Sequence, residues 1–355
     1  MAATNALPQP PGDDGGKQHP AHKSAQRHGH VKPPPDYGRR AFLGILASAA
    51  VSTAFKANIA ADYRLTEETR FRVTTPSNDE NKTAANRFPG RTWYLLGGFG
   101  VSYRDAGRKL AALQPAMNER APASYIGYSN GGIDIAQLFI AIQRDTFARK
   151  IDTVYLYGDS FGGMAAVVLA SLLVQNGIQV KVIVMGSSPS NVRDVLDPGK
   201  EYISLAGRVV PYLGLLGRLG AGIWGGLANP NGQGMYAAAR SGIDSSLDPS
   251  NNSLILNTTQ ATFLQAFPTQ YDGGIPRSTG IGLMYDPQDF IVNARSAILG
   301  WEALLPHNQF FEYDIPHTGH ASPEIHPDIY RTGLRVILDQ LDPPPLTSKP
   351  VQPIF

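Results

Sequence analysis

The sequence predicts an α/β fold, a mostly parallel central sheet with helices on both faces, and three observations predict it. Short apolar runs rich in β-branched and aromatic residues alternate with longer helical patterns, the order expected of strands joined by helical crossovers. With 42% apolar and 17% charged residues in a chain of 355, there is enough material for a large core. One of the runs, Thr153 to Tyr157, leads through a Gly-rich turn containing a serine straight into an Ala/Val/Leu-rich segment, a strand-turn-helix unit.

Taken in order, the periodicities predict a strand at Thr92–Leu96, a helix at Asp105–Arg120, a strand at Ser124–Gly127 and an amphipathic helix at Ile133–Arg149. They continue with a strand at Thr153–Tyr157, a helix at Gly163–Asn176 and a strand at Val180–Met185. The rhythm then breaks over residues 190–277. It resumes with a strand at Ile281–Tyr285, a helix at Asn293–Leu305, a strand at Phe310–Ile315 and a helix at Ile325–Leu341. No internal repeat is visible. The resulting organisation is a leader (1–37), a signal sequence or membrane anchor (38–61), a core in two parts (62–189 and 278–342) interrupted by an insertion (190–277), and a Pro-rich tail (343–355).

The leader is rich in Pro, Gly, Asp, Gln and His without any apolar period. It cannot offset its own ordering entropy and is expected to be disordered. Its histidines, His19, His22, His28 and His30, are read as part of a solvated low-complexity segment and not as a metal site. The leader also carries the charge imbalance. Residues 1–54 hold 6 Lys/Arg and 3 Asp/Glu, leaving 25 against 26 in the rest. A near-neutral body without a basic stripe gives no electrostatic basis for nucleic-acid binding. The absence of cysteine excludes disulfides, a thiolate nucleophile and Cys-ligated zinc.

Gly38-Arg39-Arg40-Ala41-Phe42-Leu43-Gly44 runs into the apolar stretch Ile45–Phe55. The segment resembles a twin-arginine export signal, with Gly in place of the usual Ser/Thr before the arginines and of Lys after Leu. That resemblance implies a bacterial protein exported to the cell envelope or beyond, with Ser52-Thr53-Ala54 as the best cleavage candidate. The stretch is shorter than the roughly 20 residues of a membrane span, although a retained anchor, and with it membrane contact, stays open.

Gly-x-Ser-x-Gly occurs twice, at Gly127-Tyr128-Ser129-Asn130-Gly131 and at Gly158-Asp159-Ser160-Phe161-Gly162. The chemistry requires a serine on a strained turn between a strand and a helix, with small residues two before and two after it. Both motifs follow a strand, but the run before Ser160 is the longer and an apolar helix leaves the turn directly. From about Tyr63 to Leu341 the order of elements resembles the α/β-hydrolase superfamily, in which the nucleophile follows the third parallel strand of the run that starts here at Thr92. The resemblance therefore implies the α/β-hydrolase fold, with Ser160 as nucleophile and Ser129 as a turn or pocket residue.

It also implies the other site residues. A serine nucleophile needs an imidazole base held in one tautomer by a carboxylate, and the family supplies them in the order Ser, Asp/Glu, His. After the strand at Ile281–Tyr285 comes Asp286-Pro287-Gln288-Asp289-Phe290-Ile291-Val292. It resembles the family's acid loop with Asp289 as the acid and Asp286, before Pro, as the alternate and a turn-forming residue. Four histidines lie outside the leader. Gly319-His320-Ala321 resembles the loop of the base, so His320 is preferred and His317 is the alternate, with His307 and His326 read as surface residues. The oxyanion hole is expected from the N–H of Phe161 and of Phe99, or else Gly98, in the glycine loop Leu96–Gly100.

The 190–277 insertion sits where the family carries a cap. Its segments Val209–Leu216 and Ala221–Leu227 are apolar enough to cover an acyl chain or to form the core of the cap itself. The reading is an exported serine hydrolase of small-molecule or lipid esters with apolar acyl groups, needing neither cofactor nor metal. An exported acyltransferase on the same triad and a non-catalytic hydrolase-fold binding protein are the alternatives. Asn251 and Asn257 open glycosylation sequons, which mean little in an exported bacterial protein. Nothing in the sequence bears on the oligomeric state.

Overall fold

The computed structural model describes residues 71–197, 200, 254–267 and 274–343. The leader, the signal segment, both apolar runs of the insertion and the tail beyond residue 343 lie outside the described residues.

In chain order the strands are β1 (Arg72–Thr74), β2 (Arg91–Leu96), β3 (Ala123–Gly127), β4 (Thr153–Asp159), β5 (Gln179–Gly186), β6 (Gly280–Tyr285) and β7 (Phe310–Asp314). The helices are α1 (Asp79–Arg87), α2 (Tyr103–Met117), α3 (Ile135–Arg149), α4 (Phe161–Gln175), α5 (Leu254–Ala266), α6 (Ala294–Leu304) and α7 (Pro327–Leu341). The strands form one sheet in the order β1-β3-β2-β4-β5-β6-β7, with β1 antiparallel to β3 and every other pair parallel.

Alternate side chains of each strand feed two separate cores. Tyr94, Leu96, Val154, Leu156, Ile183, Met185 and Leu283 face one core, shared with α3, α4 and α6. Trp93, Leu95, Tyr155, Tyr157, Val182 and Val184 face the other, against α2 and α7. All of these strand side chains are fully buried, each contributing about 1.5–3 kcal/mol of hydrophobic stabilisation. Helix α4 is apolar on every side and is correspondingly buried nearly throughout, whereas α7 buries one stripe, Tyr330, Leu334, Ile337 and Leu338.

The strand order locates the site. Strands β2 and β4 are neighbours, yet the helix after β2 packs on one face and the helix after β4 on the other. The two connections therefore diverge and leave a crevice at the carboxyl ends of these strands, where open α/β sheets hold their ligands. The segments Leu96–Gly100 and Asp159–Gly162 meet there.

The expected elements are all present, with ends shifted by a few residues. Helix α2 starts at Tyr103 because Ser102 caps it, its hydroxyl accepting the N–H of Asp105 at 3.1 Å. Strand β4 runs two residues beyond Tyr157, since Gly158 and Asp159 still pair with Met185 and Gly186. Three of these strands and α-helices have no counterpart in the sequence reading. Strand β1 is three residues long and only partly covered, α1 buries only Asn81 and Ala84, and α5 lies within the insertion.

Candidate active site

Ser160 stands between the last residue of β4 and the first of α4 with φ 49° and ψ −119°, a left-handed conformation that costs a non-glycine residue of order 1–3 kcal/mol. The neighbourhood holds it there. Its N–H donates to Gly186 O at 2.7 Å, and its carbonyl accepts from the Ser188 hydroxyl at 2.7 Å and from the Gly163 N–H at 3.0 Å. Two glycines make the turn feasible. A Cβ on Gly158 would lie 2.4 Å from the Gly162 carbonyl carbon, and one on Gly162 would lie 2.3 Å from Leu96 O, so both positions exclude every other residue. Ser129, the competing serine, has no such conformation. It is not among the residues of positive φ, its hydroxyl accepts the Gly131 N–H at 3.1 Å, and the next helix starts only at Ile135.

The structure brings Ser160, His320 and Asp289 together from the ends of three elements. His320 Nε2 is 2.9 Å from Ser160 Oγ, and His320 Nδ1 is 2.8 Å from Asp289 Oδ2. An ionised carboxylate can only accept, so Nδ1 carries the proton and Nε2 is left to accept from the serine hydroxyl. Asp289 is buried. Burial alone would raise its carboxyl, but His320 and the N–H groups of Ile291 and Val292, at 2.8 and 3.0 Å from Oδ1, outweigh it and hold the group below the ordinary aspartate value. The carboxylate that orients the ring is thereby kept ionised.

Asp286 takes a different part. Its Oδ1 accepts the Gln288 N–H at 2.9 Å, as a turn residue does, and its Oδ2 accepts the N–H of Gly319 at 2.8 Å. It holds the backbone beside His320 and does not touch the ring. His317 is exposed at φ 60° and points its chain into the turn before Gly319. His307 is exposed, and His326 is partly buried at the start of α7 instead of lying on the helix.

The glycine loop after β2 packs directly on the serine turn, since a Cβ on Gly98 would sit 3.3 Å from Ser160 Cβ. The loop is pinned from two sides. The Tyr128 hydroxyl donates to Gly97 O at 2.8 Å, and Gly100 N–H donates to Gln260 Oε1 at 3.1 Å. Phe161 begins α4, where a helix gives its N–H no internal acceptor. Gly98 thus lies against the Ser160 turn, and Phe99 follows it in the same loop.

Solved structures of similar shape include a carboxylesterase from Bacillus subtilis, at TM-score 0.50 and 14% identity over 81% of this chain and 98% of that one. A carboxylesterase from the thaumarchaeon Nitrososphaera gargenis matches at TM-score 0.50 and 13% identity over 76% and 95%. An enzyme that recognises and ring-cleaves the Pseudomonas quinolone signal matches at TM-score 0.52 and 13% identity over 76% and 96%. The chain has the α/β-hydrolase fold. At these identities the likeness concerns the fold alone, and the three proteins do not share one chemistry. No protein-family model and no curated protein matches the sequence.

Several supports around this site have no signal in the sequence. Gln260 approaches from α5 in the insertion, 160 residues from Gly100. Asp194 is buried and accepts from Ser190 N–H and hydroxyl, Asn191 N–H and the Ser296 hydroxyl. Through Asn293 N–H, which donates to Asp194 O at 2.8 Å, and Leu196 N–H, which donates to Ile291 O at 2.7 Å, this strap backs the Asp289 loop. Only the folded topology brings such partners together.

Proposed function

We propose that the protein is a serine hydrolase that cleaves carboxylic esters through an acyl-serine intermediate. The observation that carries the reading is the continuous chain of hydrogen-bonding distances from Asp289 Oδ2 through the His320 ring to Ser160 Oγ. In the proposed reaction His320 Nε2 takes the Ser160 proton as Oγ attacks the ester carbonyl carbon. The oxyanion is met by the N–H of Phe161 and of Phe99 or Gly98. As the tetrahedral intermediate collapses, His320 returns the proton to the departing alcohol oxygen. Water then attacks the acyl carbon and gives its proton to His320, and as the second tetrahedral intermediate collapses the acyl carbon–Oγ bond breaks and His320 returns that proton to Ser160 Oγ, releasing the acid. Asp289 keeps Nδ1 protonated throughout and offsets the charge of the imidazolium.

Acyl groups of apolar character are supported by the sequence of the insertion, whose runs 209–216 and 221–227 are apolar. Export is part of the same proposal. It rests on the Arg39-Arg40 pair and the apolar stretch after it. The test of the catalytic reading is a burst experiment with a 4-nitrophenyl ester. An acyl-serine pathway releases about one equivalent of nitrophenol per enzyme before the steady state wherever deacylation is the slower step. Ser160→Ala should abolish both burst and turnover, and undiminished turnover by that variant rules the reading out.

A further inference from the structure

Directly beneath the serine turn, on the α2/α7 face of the sheet, lies a group of charges that the proposed reaction does not use. Lys109, in the middle of α2, has a side chain only 6% exposed, and its Nζ stands 3.1 Å from Asp159 Oδ2 and 3.1 Å from Glu324 Oε2. It also donates to the carbonyl of Ala321. Asp159 is fully buried, and its other oxygen, Oδ1, accepts the Tyr157 hydroxyl at 2.8 Å. Asp159 Oδ2 has the Lys109 ammonium as its one polar neighbour among these groups.

The partners are neighbours in sequence of two key residues. Asp159 immediately precedes Ser160, and Ala321 immediately follows His320. Both junctions are in the left-handed region, Ser160 at φ 49° and Ala321 at φ 45°, and neither is a glycine that would adopt it freely. One ammonium therefore grips both chain segments at their strained points. Around it, α2 presents Ala106, Leu110 and Leu113 to the core, so a longer apolar side chain at position 109 would suit the helix. Buried ion pairs are seldom worth more than a well-packed apolar substitute, which leaves stability a poor reason for the charges. Burial works against both charges: at Lys109 the two carboxylates outweigh it and keep the ammonium protonated, whereas at Asp159 it outweighs Lys109 and the Tyr157 hydroxyl and raises the carboxyl.

We propose that Lys109, Asp159 and Glu324 form a buried ionic strut that sets the separation between the Ser160 turn and the His320 loop. The proposal rests on the reading of Ser160 and His320 as nucleophile and base. Lys109 and its partners are positioning residues, acting through the serine and the histidine without touching substrate. A misplacement of about 1 Å between reacting groups costs roughly a hundredfold in rate, which is the scale of effect a strut can control.

The test compares wild type with Lys109→Met/Asp159→Asn, which removes both buried charges together, with Lys109→Arg, and with Glu324→Gln at the solvent edge. Each is measured for kcat and KM on 4-nitrophenyl acetate, for the rate of labelling by a fluorophosphonate, and for melting temperature. The expected result for the folded double variant is a loss of about 10–100-fold in kcat and in labelling rate with KM within about twofold. Lys109→Arg, which keeps the charge, should retain more activity than the double variant. Wild-type kcat and labelling in the folded double variant overturn the proposal, as does a loss that disappears on assay well below the variant's own melting point. Should the double variant fail to fold, Glu324→Gln decides. A fall in kcat of about threefold or more at unchanged KM and melting temperature upholds the strut, and wild-type kcat overturns it. Wild-type protein that neither labels nor turns over ester removes the hydrolase reading itself, a result distinct from all of these.

Discussion

Asp286 Oδ2 accepts the backbone N–H of Gly319 at 2.8 Å while Asp289 Oδ2, three residues on, meets the ring of His320 at 2.8 Å. Two carboxylates of one loop thus hold the backbone and the side chain of the same short segment. The division separates their expected mutational effects. Asp289→Asn leaves the shape nearly intact but favours the wrong imidazole tautomer, and turnover should fall by roughly 10⁴. Asp286→Asn can keep one acceptor oxygen for Gly319, so a loss of only about tenfold or less in kcat is expected, with a charge-assisted bond worth about 1.5–3 kcal/mol weakened. Steady-state kinetics with melting curves check both, and the reverse order of effects would exchange the two roles.

The lowered Asp289 carboxyl has a consequence for stability. A group depressed in the folded state adds stability that is fully present above its unfolded value, near pH 4, and is lost as pH falls through the folded value below it. The melting-temperature advantage of wild type over Asp289→Asn should therefore shrink as pH falls below about 4. An advantage that grows on acidification below about pH 4 has the wrong sign.

Much of this arrangement was legible beforehand, for identifiable reasons. Ser160 lies on a strand that is buried on both faces and a helix that is apolar all round, and both leave strong local patterns. Asp289 and His320 are indicated only by the resemblance of their loops to those of the α/β-hydrolase family, and their meeting cannot be read from spacing, since 31 residues separate them. The supports were hidden because their partners are remote in sequence. Gln260 and Gly100 are 160 residues apart, and Lys109 and Ala321 are 212 apart. Helix α1 leaves little apolar pattern in the sequence because its few buried residues include Asn81, a polar side chain that bonds Ala123 N–H and O. The Pro after Asp286 points to a turn there, but no pattern in the sequence signals that its second oxygen reaches Gly319.

Gln260 offers a test of the glycine loop. Its Oε1 accepts from Gly100 N–H, whereas its buried Nε2 has no hydrogen-bond partner. Gln260→Leu removes the acceptor and should lower kcat by about tenfold, the lower end of the range for a lost oxyanion donor being about a hundredfold. Gln260→Glu keeps an oxygen facing Gly100 and should lose less, measured at a pH where both variants are folded. Equal losses would show that packing, not the hydrogen bond, holds the loop.

The export proposal is tested separately from the chemistry. A fusion of residues 1–61 to a reporter should be exported only while Arg39 and Arg40 are both present. Reporter export that survives the double replacement Arg39→Lys and Arg40→Lys points to the general secretory route or to a simple anchor.

The identity of the nucleophile is tested by the site of covalent labelling by a fluorophosphonate, read by peptide mass spectrometry on wild type, Ser160→Ala and Ser129→Ala. Under the proposed function, the histidine 2.9 Å from Ser160 Oγ activates that hydroxyl. A single adduct is expected on the peptide carrying Ser160 in wild type and Ser129→Ala, and none in Ser160→Ala. An adduct on Ser129, or labelling that persists in a folded Ser160→Ala protein, would contradict this expectation.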